Sequence, residues 1–259
     1  MERLYRQYNR RELVSPDPLE VLYEYRAAAD REVAAVVAAT LAFGRVRSIV
    51  ASVRRVLDKL GPRPATLLDD SGEREVRRML RGFRHRFTDG RDMADLLMGV
   101  KAARAEHGSL GEALAGCVRE GEHTVQQALE RWVALLRRAG GGKRSFLLPD
   151  PAGGSACKRL HLLLRWMVRR DAVDPGGWTC ISPTSLIVPL DVHMHRIARW
   201  LGFTRRKSAN LAAAMEVTEA FRRLAPDDPV RYDFALTRLG MRNDGTLEAF
   251  LARWRAERP

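Results

Sequence analysis

The sequence predicts an all-α fold. Three observations carry this. Apolar residues recur at helical spacing in one segment after another, convincing runs of period-two alternation are missing, and glycine or proline marks the ends of the periodic segments.

The segments are taken in order. "DREVAAVVAATLAFGR" places Val33, Val36, Val37, Thr40 and Leu41 on one helical face, with Asp30 as its N-cap and Gly44 beyond its end. "SIVASVRRVLDKLG" starts a second helix that closes at Gly61-Pro62. "GEREVRRMLRGF", "DMADLLMGVKAARAEHG" and "TVQQALERWVALLRRAGG" predict three more. "LAAAMEVTEAFRRLAP" and "YDFALTRLG" follow near the end. The stretch richest in glycine and proline, "AGGGKRSFLLPDPAGGS", falls between two helices. No long linker, low-complexity tract or clean repeat interrupts the chain.

Length and composition bound the class. The 259 residues suffice for one large domain or two small ones sharing a cleft, and 46% hydrophobic residues support a sizeable core. No apolar run reaches the roughly 20 residues that span a bilayer, so no membrane association is expected. "MERLYRQYNR" is charged and does not read as a secretory signal. Cys117, Cys157 and Cys180 are scattered and odd in number, which points to reduced thiols in a cytoplasm and away from a four-cysteine metal site. No metal or cofactor is expected.

Forty-five Lys and Arg against 32 Asp and Glu leave a net charge of +13. Such an excess favours a polyanionic partner, with nucleic acid ahead of an anionic membrane surface. An arginine-rich composition alone is the competing explanation. Lysine is scarce, at Lys59, Lys101, Lys143, Lys158 and Lys207 only, so a lysine beside a glycine turn stands out.

One such lysine lies in "LLPDPAGGSACKRLHLLLRWMV", residues 147–168. Pro149 and Pro151 break the chain, and Gly153 and Gly154 permit a tight turn with positive φ. Ser155 then caps a helix that carries Lys158 at about its third position. Leu160, Leu163, Leu164 and Met167 form its core stripe, whereas Lys158, Arg165 and Arg169 lie off that stripe. Free N–H groups of the turn and the positive helix end suit a phosphate, so Gly153, Gly154, Ser155 and Arg165 are candidate DNA contacts. An ordinary αα-hairpin with a solvated lysine remains the alternative.

The second candidate stretch is "VPLDVHMHRIARWLGF". Asp191 is placed to cap a helix whose buried stripe is Met194, Ile197 and Leu201, closed by Gly202. Capping alone explains Asp191. His193 and His195, two apart, point to different sides and chelate one metal poorly, so none is assigned. His193 reads as a hydrogen-bonding residue at the helix start and a candidate DNA contact.

The glycine hairpin with its lysine, followed by "LDVHMHRIARWLG", resembles the helix-hairpin-helix DNA glycosylase superfamily and its "VDTHVxRVxxRLG" pattern. "VAAVVAATLAFGRVRSI" looks like the helix that carries that family's wedge into the duplex, and "YDFALTRLG" resembles a helix near the end of such folds. The likeness spans about residues 30 to 245. More narrowly, the chain looks like a bacterial family allied to the archaeal 8-oxoguanine branch. It departs from the pattern in places. The family's "LPGVGxKTA" reads "LPDPAGGSACK" here, Val192 replaces the usual threonine, and "RRDAVDPGGWTCISPTSL" lengthens the link between the two helices.

The resemblance implies an all-α, two-lobed helix-hairpin-helix DNA-glycosylase-like fold forming a single unit over residues 1–259. Residues 30–145 would include the middle lobe. Residues 146–259 would carry the hairpin and the Asp191 helix, with the N-terminal segment packed on them. It implies a base-excision DNA glycosylase with AP-lyase activity on damaged bases, oxidised guanine among them. In that role Asp191 would stabilise the cationic sugar, Lys158 would attack C1′ to form a Schiff base, and Arg45 would be the wedge. A solvated charge is the plain alternative for Arg45. The lysine would need a lowered pKa. The expected partner is double-stranded DNA with a damaged base, met by a monomer in the cytoplasm at the nucleoid. A DNA- or RNA-binding protein that keeps the fold without the chemistry is the rival reading.

Overall fold

The computed structural model describes residues 1–142, 145–241 and 245–256, so Lys143 lies outside the described residues. Almost all the regular structure is helical, as the periodicity predicts. No described helix is long and apolar enough to cross a membrane.

Helix α1 (Glu2–Tyr8) and a 3-10 turn over Pro18–Glu24 precede α2 (Ala28–Thr40), the central helix. Every residue of α2 from Glu32 to Thr40 is buried, not one face alone. Four of these are alanines, and their small side chains let α3 (Val46–Leu60), α4 (Pro64–Asp70) and α9 (Lys158–Val168) close around it. Asp30 does not cap α2, whose N-cap position is Ala27. One turn inside the helix, its carboxylate instead accepts the Ala65 backbone N–H at 3.0 Å, near the start of α4. The aspartate satisfies an orphan N–H of a neighbouring helix, a tertiary pairing that spacing does not reveal.

Helix α5 (Glu73–Met79) leads into a short hairpin, β1 (Arg84–His85) and β2 (Thr88–Asp89). Two-residue strands are too short to produce an alternating pattern in sequence. Asp89 then starts α6 (Gly90–His107) through a capping box with Asp92. Helix α7 (Leu110–Ala115) follows, capped by Ser109, and then α8 (Gln126–Ala139). Helices α6 and α8 approach so closely that a Cβ at Gly99 or Gly140 would strike the other helix's backbone. Glu32 ties this region together. Its carboxylate accepts from Arg104 on α6, from the Leu110 and Gly111 N–H groups at the start of α7, and from Trp178 Nε1.

The C-terminal part holds α9, α10 (Val192–Trp200), α11 (Leu211–Arg222), α12 (Asp233–Gly240) and α13 (Thr246–Ala256). Helix α1 packs on α12, with Tyr232 donating to Glu2 at 2.6 Å and Tyr5 donating to Asp171 at 2.9 Å. One continuous set of buried apolar side chains runs from Leu4 to Leu251.

Candidate active site and the family of the chain

The glycine turn takes its shape from three short devices. Asp150 accepts the Ala152 N–H, Pro151 opens a single 3-10 turn, and Gly154 adopts the left-handed conformation at φ +74°. Gly153 does not need positive φ, so of the two predicted glycines only the second uses the freedom that glycine confers. The Gly154 carbonyl accepts the Leu211 N–H at 3.0 Å, and Ser155 pairs with Asn210, which joins the turn to the start of α11.

Helix α9 begins later than its sequence suggests. Ser155 accepts the Cys157 N–H at 3.3 Å rather than an N–H inside the helix, and Cys157 takes the left-handed cap conformation at φ +41°. Lys158 is therefore the first residue of α9, not about its third.

Asp191 caps α10 with one oxygen. Oδ1 accepts the N–H groups of His193 at 2.9 Å and Met194 at 2.8 Å. The other oxygen, Oδ2, lies 2.8 Å from Lys158 Nζ. Burial pushes the Asp191 carboxyl up, but the Lys158 ammonium, the Met194 N–H and the charge of His193 outweigh it, and its pKa is lowered. Both side chains keep part of their surface open to solvent, so the pair is accessible to a ligand. His193 is exposed beside it, and His195 is buried with Nε2 3.0 Å from the Arg206 carbonyl.

Arg165 is not a DNA contact. It is 4% exposed, pairs with Asp174 and Asp233, and lies over the Phe234 ring. Arg169 is likewise buried, among Asp171, Asp174 and Asp228. Burial alone would lower both guanidinium pKa values, but these carboxylates outweigh it and hold both arginines charged. The core stripe of α9 is wider than its leucines, because the loop 170–186 brings acids over its flank. Asp233, buried and with its pKa raised by desolvation against the pull of Arg165, lies within the electrostatic reach of Asp191 and Lys158. The network therefore backs the site without lining it.

Arg45 stands exposed at the N-cap position of α3 and gives no side-chain cap. The end of α2 brings its segment toward Lys158. Arg159, next to the lysine, donates to the Thr40 carbonyl at 2.5 Å. Arg159 also lies over the rings of Phe43 and Phe146. Burial pushes its guanidinium down to about 10, so it remains a cation at neutral pH. Sequence reading missed this residue and its aromatic neighbours, for which the only signal was adjacency to Lys158. Among the described residues no group of three or more His, Cys, Asp and Glu side chains is placed to hold a metal ion.

Residues 17–242, which include the glycine turn, Lys158 and Asp191, match the model of a family described as "Protein of unknown function (DUF2400)". No curated protein and no solved structure matches the chain. The match covers well over half of the sequence, and the chain belongs to the DUF2400 family.

Proposed function

We propose that the protein is a base-excision DNA glycosylase with AP-lyase activity, acting on a damaged base in duplex DNA. The observation that carries the reading is the 2.8 Å approach of Lys158 Nζ to Asp191 Oδ2 at a partly open surface. An amine and a carboxylate held together in this way suit the chemistry of a glycosidic bond. As the C1′–N bond breaks, positive charge develops at the sugar, and the Asp191 carboxylate stabilises it. The Lys158 ammonium gives a proton to the departing base, and the amine so freed adds to C1′. Loss of a further proton and opening of the sugar ring give an imine. Removal of a C2′ proton then expels the 3′ phosphate and nicks the strand.

The two-lobed helix-hairpin-helix arrangement belongs to the same proposal, with residues 30–145 including one lobe and residues 146–259 the other. The turn at Gly154 and Ser155, the exposed His193 and the net charge of +13 supply the phosphate-facing surface. Borohydride reduction in the presence of duplexes bearing 8-oxoguanine, uracil or an abasic site tests the reading. Covalent trapping that disappears in Lys158→Gln supports it, because only a primary amine forms the reducible imine. Trapping on none of these duplexes overturns it.

A further inference from the structure

The β1–β2 hairpin ends in an exposed aromatic residue that the fold itself does not require. His85 and Thr88 face inward, and the two residues between them form the tip. Arg86 holds φ +53°, a conformation that hairpin turns normally give to glycine or asparagine. Phe87, next to it, is 72% exposed. Its ring meets that of Phe146, itself 50% exposed, edge to face at 5.7 Å, and Phe146 meets Phe43 in the same way at 4.8 Å.

Hydrogen bonds and ring contacts hold this surface from two sides. His85 sits between Ser52 Oγ and the Phe43 carbonyl, each 3.0 Å from a ring nitrogen. Arg159 clamps the other side, donating to the Phe146 carbonyl while its guanidinium lies over the Phe43 and Phe146 rings. The same arginine follows Lys158, so the aromatic surface and the Lys158–Asp191 pair share one anchor at the start of α9.

The surroundings are cationic. Arg86 lies over the Phe87 ring and across the α-carbon of Gly44, the residue before Arg45. At the base of the hairpin a concavity of about 600 Å³ is lined by Arg77, Arg81, Arg84 and Arg91, against one acid, Asp89. The Asp89 carboxylate is occupied in capping α6, and Arg77 is paired with Glu73 and Asp95. Arg84 stands on the same hairpin, three residues before Phe87. Exposed rings beside arginines are the combination that holds unpaired nucleotides, with the base stacked on the ring and the phosphate among the cations.

We infer that Phe87 and Phe146 form a stacking surface for an unpaired base of a DNA strand, with the arginine-lined concavity taking its phosphates. The inference rests on the reading of the protein as one that handles DNA, and it names the strand feature that the protein grips beside Lys158.

The test is fluorescence anisotropy of the full chain with three labelled probes of one sequence: intact duplex, duplex with a one-nucleotide bulge, and single strand. Phe87→Ala should weaken binding to the bulged and single-stranded probes about tenfold, the scale of one lost base–aromatic stack, and leave the intact duplex within about twofold. Phe87→Trp should restore wild-type affinity. A 2-aminopurine placed at the bulge should be quenched by the wild type and not by Phe87→Ala. Unchanged binding of Phe87→Ala to all three probes overturns the inference, and so does an equal loss on intact and bulged duplex. Tighter binding to a fourth probe, the same single strand as RNA, overturns it as well, and so does binding to none of the three DNA probes. Phe87 is largely solvated, so its replacement leaves the core intact. Failed borohydride trapping with a normal Phe87 effect would remove the glycosylase reading and leave this surface standing. The opposite pair of results would do the reverse.

Discussion

Asp191 divides its carboxylate between two tasks: Oδ1 receives the first N–H groups of α10, and Oδ2 receives the Lys158 ammonium at 2.8 Å. A cap and a counter-ion are therefore not alternatives for this residue. Asp191→Asn separates them, because an asparagine oxygen caps about as well as aspartate but carries no charge. Stability, read from chemical denaturation, should change by less than about 1 kcal/mol. Base release should fall by roughly a hundredfold or more, the scale of a lost electrostatic stabiliser. DNA affinity should persist or increase, since a negative charge leaves the site. Full activity in the variant, on a duplex that the wild type cleaves, would leave Asp191 a cap alone.

Arg165 gives the opposite expectation. Arg165→Leu removes a buried cation from between Asp174 and Asp233; Asp174 keeps Arg169, but the buried Asp233 carboxylate loses its ion-pair partner. Loss of one partner from a buried pair costs about 3–5 kcal/mol. Thermal melting should show this loss in the absence of DNA. A variant that melts like the wild type but binds DNA more weakly would return Arg165 to the DNA-contact role.

Gly154 is the turn residue whose φ of +74° a side chain resists. No atom would crowd a new Cβ there, so Gly154→Ala tests backbone conformation alone. The left-handed conformation should cost about 1–2 kcal/mol. The analogous Gly153→Ala change should cost much less, because that residue does not hold positive φ. Paired denaturation curves distinguish the two, and equal losses would mean that the turn is not set by Gly154.

His161 makes the fold acid-sensitive. It is fully buried in α9, neither ring nitrogen has a partner among the described residues, and burial pushes its pKa down to about 4. The unfolded chain takes up this proton near pH 6.5, whereas the folded chain resists it until about pH 4. Between those values the unfolded state binds more protons, so stability falls as pH falls. The full effect below pH 4 is on the order of 3 kcal/mol. Burial pushes Asp174 up to about 6, which acts in the opposite sense over part of that window. The measurement is therefore the stability difference between wild type and His161→Leu, followed from pH 7 to pH 4. That difference should shift against the wild type as pH falls, and a constant difference would contradict the buried neutral imidazole.

Much of the molecule was legible in its sequence, and the boundary is physical. Helical periodicity, caps and glycine stops are local properties, so α2, α3, α6, α8, α11 and α12 can be read directly from the chain. The same holds for the turn before Lys158 and for the cap at Asp191, since each rests on residues adjacent to it. Only tertiary packing decided what side chains far apart do to one another. It moved Asp30 from its own helix to the start of α4, and it turned Arg165 inward because Asp174 and Asp233 arrive from other segments. It also brought Phe87 and Phe146 together around Arg159, three residues with no common period or motif. The Lys158–Asp191 contact lies on both sides of that boundary. Local rules place each residue at a helix start, and the packing of the two helices brings amine and carboxylate within 2.8 Å.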